Sequence, residues 1–286
     1  MTIPVQVISL NRRADRRAWI APHLRQCGVP FRFFDAVDAQ TLKDNPLHAL
    51  YDAERYARRN PQRGSLSDAE VSCTLSHYLV WCQAAAGPDA WTLVLEDDAV
   101  FAGPDPMPAI EAAAARCDAC DVVLLDSLCW TVCRWKSLRL PGAPNRVYRA
   151  NSPTVLATGY LLSRGAAGRL AEATRRDGII RIVDAWLLDR GAAWSNVVTV
   201  RVVKPDLVYQ HAALGSDLRA SSASPTSRNH SRLYCRGSLT RGLVLAPSDP
   251  RRWPLLCSRF FRCLYRSYLV PPPRSVPPAG QPSEAR

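Results

Sequence analysis

Lysine is nearly absent. Of the 37 basic residues only Lys43, Lys136 and Lys204 are lysine, and the rest are arginine. Methionine is also scarce, with two residues in 286. No run reaches the roughly 18 uninterrupted apolar residues that a membrane span needs. The start, Met1 to Leu10, is a short apolar run followed by charge, the reverse of a secretory signal's order. The expectation is a cytoplasmic chain whose ten cysteines are reduced thiols. No internal repeat is visible, which excludes solenoids and propellers. A hydrophobic fraction of 47% is too high for a mainly disordered chain.

What is present in excess is positive charge, +12 overall. A basic, Arg-dominated surface attracts phosphates of nucleic acids, anionic lipids or nucleotides, and arginine suits bidentate phosphate contacts. Biased codon usage explains the same excess equally well. Cys117, Cys120, Cys129 and Cys133 are closely spaced. A strand read over Val122 to Leu125 separates the pairs, which favours buried thiols over structural zinc.

Along the chain, Val5 to Leu10 reads as a buried strand. Asn11 is placed to cap an Arg-rich helix ending at Gly28, with Pro22 inside it. Phe31 to Val37 reads as a second strand, giving a strand–helix–strand unit of α/β type. Residues 40–64 are a loop with a short helix over Ala49 to Arg58. Ser67 and Glu70 have capping-box spacing and open a helix to Gly87. Strands follow at Trp91 to Leu95, Asp121 to Asp126, Tyr160 to Leu162, Val197 to Val203 and Leu207 to Tyr209, with helices at Ala109 to Arg116 and Ala166 to Thr174. Residues 127–155 are read as a second loop. The organisation expected is a domain over 1–215, a polar linker over 216–252, a basic amphipathic helix over 253–270 and a Pro-rich disordered tail over 271–286. The helix places Trp253, Leu256, Phe260, Phe261 and Leu264 opposite Arg259, Arg262 and Arg266. Such a face fits either an anionic membrane surface or docking on the domain.

The most informative residues are Glu96, Asp97 and Asp98, at the end of an apolar strand. Adjacent carboxylates repel one another and are costly there unless a cation neutralises them. In an extended chain Glu96 and Asp98 project to the same side. Hard oxygen ligands at that spacing suit Mg²⁺ or Mn²⁺ bound with substrate phosphates, and ligands of α/β sheets gather at strand carboxyl ends. A solvated acidic turn is the plain alternative. Asp184, an acid in an otherwise apolar stretch, reads either as a general base or as a partner of Arg181. His77 shares a helix face with Cys73 and Glu70, and either orders the site or is a satisfied core histidine.

Several ordered segments resemble glycosyltransferase family 25, of the lipooligosaccharide galactosyltransferase type. Val7-Ile8-Ser9-Leu10-Asn11-Arg12-Arg13 with Asp15-Arg16-Arg17 is similar to the family's opening strand and Arg-rich turn. Phe33 to Asp38, Glu70 to His77, Leu93 to Asp98, Thr158 to Ser163 and Val183-Asp184 are similar to its later landmarks. The likeness covers residues 3–217. Ser9 stands where the family has Asn, and Ser72 where it has Gly. The resemblance implies a GT-A-type nucleotide-sugar-binding fold, Rossmann-like with a mixed central sheet. It implies inverting hexosyl transfer, usually of galactose from UDP-galactose to a lipopolysaccharide core sugar. On this reading Glu96, Asp98 and His211 hold Mn²⁺ or Mg²⁺, and Leu10, Arg13, Arg16, Asp97 and His77 contact the donor. Asp184 is then the catalytic base, and the enzyme sits in the cytoplasm or on the inner face of the plasma membrane. The competing readings are a basic nucleic-acid-binding protein, which leaves the acidic cluster unexplained, and an inactive GT-A-fold interaction module.

Overall fold

The computed structural model describes residues 2–61, 64–119, 121–126, 131–150, 156–183, 198–211 and 267–269. Asp184, the linker over 216–252 and the tail over 271–286 lie outside these residues. So does the amphipathic segment from 253 to 266.

The chain opens with strand β1 (Val5–Ser9), helix α1 (Ala14–Gln26) and strand β2 (Arg32–Asp35). β2 returns parallel to β1, with Val7 opposite Phe33. The helix start departs from the expected Asn11 cap. Arg13 occupies the N-cap without a side-chain hydrogen bond, while the Asn11 side chain accepts from Arg17 at 3.3 Å. The stop is as read: Gly28 takes a φ of 66°, and the Val29 amide closes back on Leu24 O at 2.9 Å. A Cβ is strained at that φ, so glycine ends the helix without that cost.

Two short 3₁₀ turns and α2 (Ala53–Arg59) lead to α3 (Asp68–Ala86), which carries the capping box. The Ser67 amide donates to Glu70 at 2.9 Å, and Ser67 Oγ accepts from the Glu70 amide at 3.3 Å. Then come β3 (Trp91–Glu96), β4 (Ala99–Phe101), α4 (Met107–Ala115), β5 (Asp121–Leu124), β6 (Thr131–Arg139), β7 (Arg146–Ala150), β8 (Gly159–Ser163), α5 (Arg164–Asp177), β9 (Thr199–Lys204), β10 (Val208–Gln210) and β11 (Ser267–Leu269). Residues 131–139 and 146–150, read as loop, pair as an antiparallel hairpin. Ser267–Leu269, read as the end of a helix, are extended and pair with β6.

Among the described residues, nine strands form one mixed sheet in the order β11-β6-β7-β9-β5-β8-β3-β1-β2. β8 runs antiparallel between β3 and β5, whereas β3, β1 and β2 are parallel, as are β5 and β9. The carboxyl ends of β1, β2, β3, β5 and β9 therefore share one edge with the amino end of β8. Strand side chains alternate between faces, and this splits the apolar residues into two cores. Ile8, Val94, Val122, Leu124, Tyr160, Leu162 and Val202 pack against α3 and α5. Val7, Leu93, Leu95, Val123, Leu161 and Val203 pack against α1 and α4. The result is a three-layer α/β/α arrangement. No helix among the described residues is long and apolar enough to cross a membrane.

Gly159, the first residue of β8, packs tightly against side chains of β3 and β10. An added Cβ would come within 3.0 Å of Val208 Cγ1 and 3.1 Å of Leu95 Cδ2. Gly159→Ala should cost about 1–3 kcal/mol through overpacking, measurable as a lower midpoint in chemical denaturation.

Candidate active site

The acidic residues are not three neighbours on one extended chain. Glu96 is the last residue of β3, and Asp97 and Asp98 form the turn into β4. Strand parity sends Glu96 to the α3 face and Asp97 to the α1 face. The turn then carries Asp98 to Asp97's side. Glu96 and Asp98 therefore diverge, contrary to their expected projection to the same side.

On the α1 face the cation beside the acids is Arg16. Its Nη2 lies 3.0 Å from Asp97 Oδ1 and 2.7 Å from Asp98 Oδ2, with all three residues buried. Gln210 Nε2 donates to the same Asp98 oxygen at 3.2 Å. Asp98 Oδ1 is buried with no hydrogen-bond partner. Burial raises Asp97's pKa, while Arg16, a hydrogen bond with Ser9 and the more distant Arg13 oppose the rise. Arg13 itself pairs with Asp15 at 2.8 Å. Leu10 contributes a backbone carbonyl that accepts from the Arg13 amide at 3.0 Å, closing the turn that aims α1 at the acids. The His211 amide donates to Asp98 O at 2.8 Å, and its ring lies 4.7 Å from that of Trp19. His211 thus borders the acidic turn through its backbone.

On the α3 face, His77 Nε2 is 3.5 Å from Glu96 Oε1. His77 Nδ1 is 2.8 Å from Tyr160 Oη, and Trp81 Nε1 donates to that same phenol oxygen at 3.0 Å. Cys73, one turn before His77, completes a group with Glu96 whose ligand atoms all lie within 4.8 Å of one another. Burial, then Asp98 and Asp97, raises Glu96 well above the usual carboxylate range, with Arg16 opposing.

The sequence reading missed Asp126. It follows β5 at the same sheet edge and is 2% exposed, with Oδ2 lacking a hydrogen-bond partner. Burial first, and then the neighbouring Asp206, push its pKa up to about 7, while Thr158 and Lys204 pull it down. Asp206 is itself held by a buried ion pair with Lys204 at 2.6 Å. The signal was available, because an acid ending the apolar run Val122 to Leu125 has the same form as Glu96 after β3. Cys117 is a neutral thiol pushed up to about 12 by burial, and Cys120 and Cys129 lie outside the described residues.

The donor set on the α1 face suits a hard divalent cation. Asp98 offers a buried, unpartnered carboxylate oxygen, and hard cations take oxygen ligands. Removing Arg16 leaves two buried carboxylates uncompensated, so Arg16→Met should cost about 3–5 kcal/mol. Adding Asp97→Asn and Asp98→Asn to that variant should recover much of the loss in a denaturation series. A second effect concerns Asp126. Its folded pKa lies above the unfolded value, so the native state binds the extra proton and loses stability as pH rises from about 4 to 7. Asp126→Asn should gain on the wild type across that window, by a few kcal/mol at most. Parallel melting temperatures at pH 4.5 and pH 8 check this.

Comparison with known proteins places this geometry in a family. The family model described as "Glycosyltransferase family 25 (LPS biosynthesis protein)" matches residues 2–184. The chain is 39% identical over 98 residues to "Probable inactive glycosyltransferase 25 family member 3" of Rattus norvegicus, covering 34% of this chain and 17% of that one. It is 34% identical over 96 residues to "Procollagen galactosyltransferase 2" of Homo sapiens, covering 33% and 15%. It is 26% identical over 172 residues to "Lipooligosaccharide biosynthesis protein lic2B" of Haemophilus influenzae, covering 58% and 61%. The chain thus spans about a sixth of the animal relatives and under two thirds of the bacterial one. With the family's match running from β1 through the acidic turn to the end of α5 and beyond, the chain belongs to glycosyltransferase family 25.

Proposed function

We propose that this chain is a metal-dependent inverting glycosyltransferase that moves a hexose, galactose from UDP-galactose being the best-supported donor, onto a lipooligosaccharide or other glycan acceptor. The observation that carries the reading is the buried Asp97–Asp98 turn at the carboxyl edge of the sheet, with one carboxylate oxygen of Asp98 unpartnered. Ligands of open α/β sheets gather at that edge. Family membership and a relative named for lipooligosaccharide biosynthesis support the substrate class.

Sugar transfer develops positive charge at the anomeric carbon and negative charge on the departing nucleoside diphosphate. Mn²⁺ or Mg²⁺ held by Asp98, beside Glu96 on the other face of the strand end, would supply Lewis-acid stabilisation of that diphosphate. Arg16 holds Asp97 and Asp98 in place through its ion pairs and engages Asp98 through Oδ2, so that Oδ1 is the oxygen offered to the ion. Arg13, at the mouth of the same turn, adds positive charge toward the phosphates. His77, held by Tyr160, orients Glu96. Asp184 is assigned as the base that takes the acceptor hydroxyl's proton. His211, next to Asp98 in the backbone, is the candidate for a further ligand.

A second reading is a family member that binds the nucleotide without turnover. Relatives named as inactive at 36–39% identity favour it. A screen of nucleotide-sugars with Mn²⁺ separates the two. Active protein should release UDP slowly, chiefly from UDP-galactose, and chelator or Asp98→Ala should abolish the release. Asp184→Asn should keep UDP binding while lowering turnover by about 10²–10⁴-fold. UDP binding without release from any donor would establish the second reading, and release surviving both chelator and Asp98→Ala would remove Asp98 from the mechanism.

A further inference from the structure

The α3 face of the acidic strand end carries a second kind of chemistry. Cys73 and His77 are four residues apart on α3 and so lie one above the other on the same helix face. Glu96 meets them from β3 because its strand parity points it at α3. One thiol sulfur, one imidazole nitrogen and one carboxylate oxygen thus converge within 4.8 Å of one another. A four-coordinate zinc with bonds of about 2.0–2.3 Å has ligand–ligand edges of about 3.5 Å. His77 Nε2 and Glu96 Oε1 already stand at that spacing, 3.5 Å apart.

We propose that Cys73, His77 and Glu96 form a binding site for a borderline transition-metal ion, Zn²⁺ being the one that fits best, distinct from the hard-cation position at Asp98. The donor set decides the metal. Thiolate and imidazole select zinc over Mg²⁺ and Mn²⁺, which prefer all-oxygen surroundings. Three protein ligands leave a fourth position for water. His77 is 1% exposed, whereas the Glu96 side chain is 25% exposed and Cys73 is partly exposed, so the ion has a route in from the Glu96 and Cys73 side. The surroundings orient the imidazole as ligating histidines require. Tyr160 Oη lies at Nδ1, leaving Nε2 as the nitrogen that faces Glu96, and Trp81 Nε1 holds the phenol in turn.

Bound there, the ion ties the middle of α3 to the end of β3. It also takes Glu96 as a ligand, leaving Asp97 and Asp98 with Arg16 to face the donor. The proposal needs no nucleotide and no turnover, so it stands or fails apart from the sugar-transfer reading.

The test uses the full chain, stripped with chelator and titrated without nucleotide. One Zn²⁺ per chain should bind, and Co²⁺ in its place should give a thiolate-to-cobalt charge-transfer band. Cys73→Ser should lose that band and bind zinc at least about tenfold more weakly. Asp98→Asn should keep both band and zinc affinity. If Cys73→Ser does not fold, alkylation of the wild type followed by peptide mass mapping serves instead. Zinc should slow modification of Cys73 but not of Cys82, which is also partly exposed. A cobalt spectrum without a thiolate band, or one unchanged in Cys73→Ser, overturns the site. So does a Cys73 alkylation rate indifferent to zinc.

Discussion

The guanidinium of Arg16 lies between Asp97 and Asp98, in a position that water reaches poorly. Two buried carboxylates at adjacent positions repel strongly in a medium of low dielectric. Arg16 reaches across from the first turn of α1 to neutralise them, and its own burial is tolerable because both acids are there. That mutual dependence ties the first turn of α1 to the turn between β3 and β4. It also decides which carboxylate oxygen remains open. Asp98 Oδ2 is taken by Arg16 and Gln210, while Oδ1 is not hydrogen-bonded.

The sheet then distributes the remaining polar groups. β8 enters antiparallel between β3 and β5, so its amino end meets their carboxyl ends. The Glu96 amide donates to Thr158 O at 2.8 Å, and the Leu125 amide donates to Gly159 O at 2.9 Å. These bonds hold Glu96 and Asp126 on either side of β8, each acid buried enough for its pKa to rise. Buried acids of this kind detract from stability, and perturbed carboxyl groups gathered at one edge are characteristic of functional sites. A fold selected for stability alone would place apolar residues there.

Strand parity gives the two faces of this edge different chemical characters. Facing α1 are oxygen ligands and arginine, suited to a hard cation and phosphate. Facing α3 are a thiol, an imidazole and a phenol behind one carboxylate, suited to a softer ion. One strand end thus serves both faces, because consecutive residues of a strand point in opposite directions.

Local signals in the sequence were sufficient for the strand–helix alternation of the first half, the capping box at Ser67 and Glu70, the helix stop at Gly28 and the presence of an acidic cluster after β3. Each depends on residues within a few positions of one another, where spacing and side-chain chemistry act directly. The ordered landmarks from Val7 to Asp184 were likewise enough to point to the family. The partner of the acids was not legible. Arg16 and Asp98 are 82 residues apart, and only the packing of α1 on the sheet brings them together. The 131–150 hairpin escaped because strands with many polar residues lack a clear alternation, and β6 and β7 are flanked by β11 and β9, which are distant in the chain. Asp126 was passed over because its burial beside Asp206 comes from the pairing of β5 with β9. The convergence of Cys73, His77 and Glu96 needed the register of α3 over β3, since helix spacing alone could align two of the three. Composition and short-range periodicity thus determined most of the elements of the first half of the chain. The antiparallel insertion of β8 and the two packed faces of the sheet decided which polar groups meet, because charges and ligands interact through space.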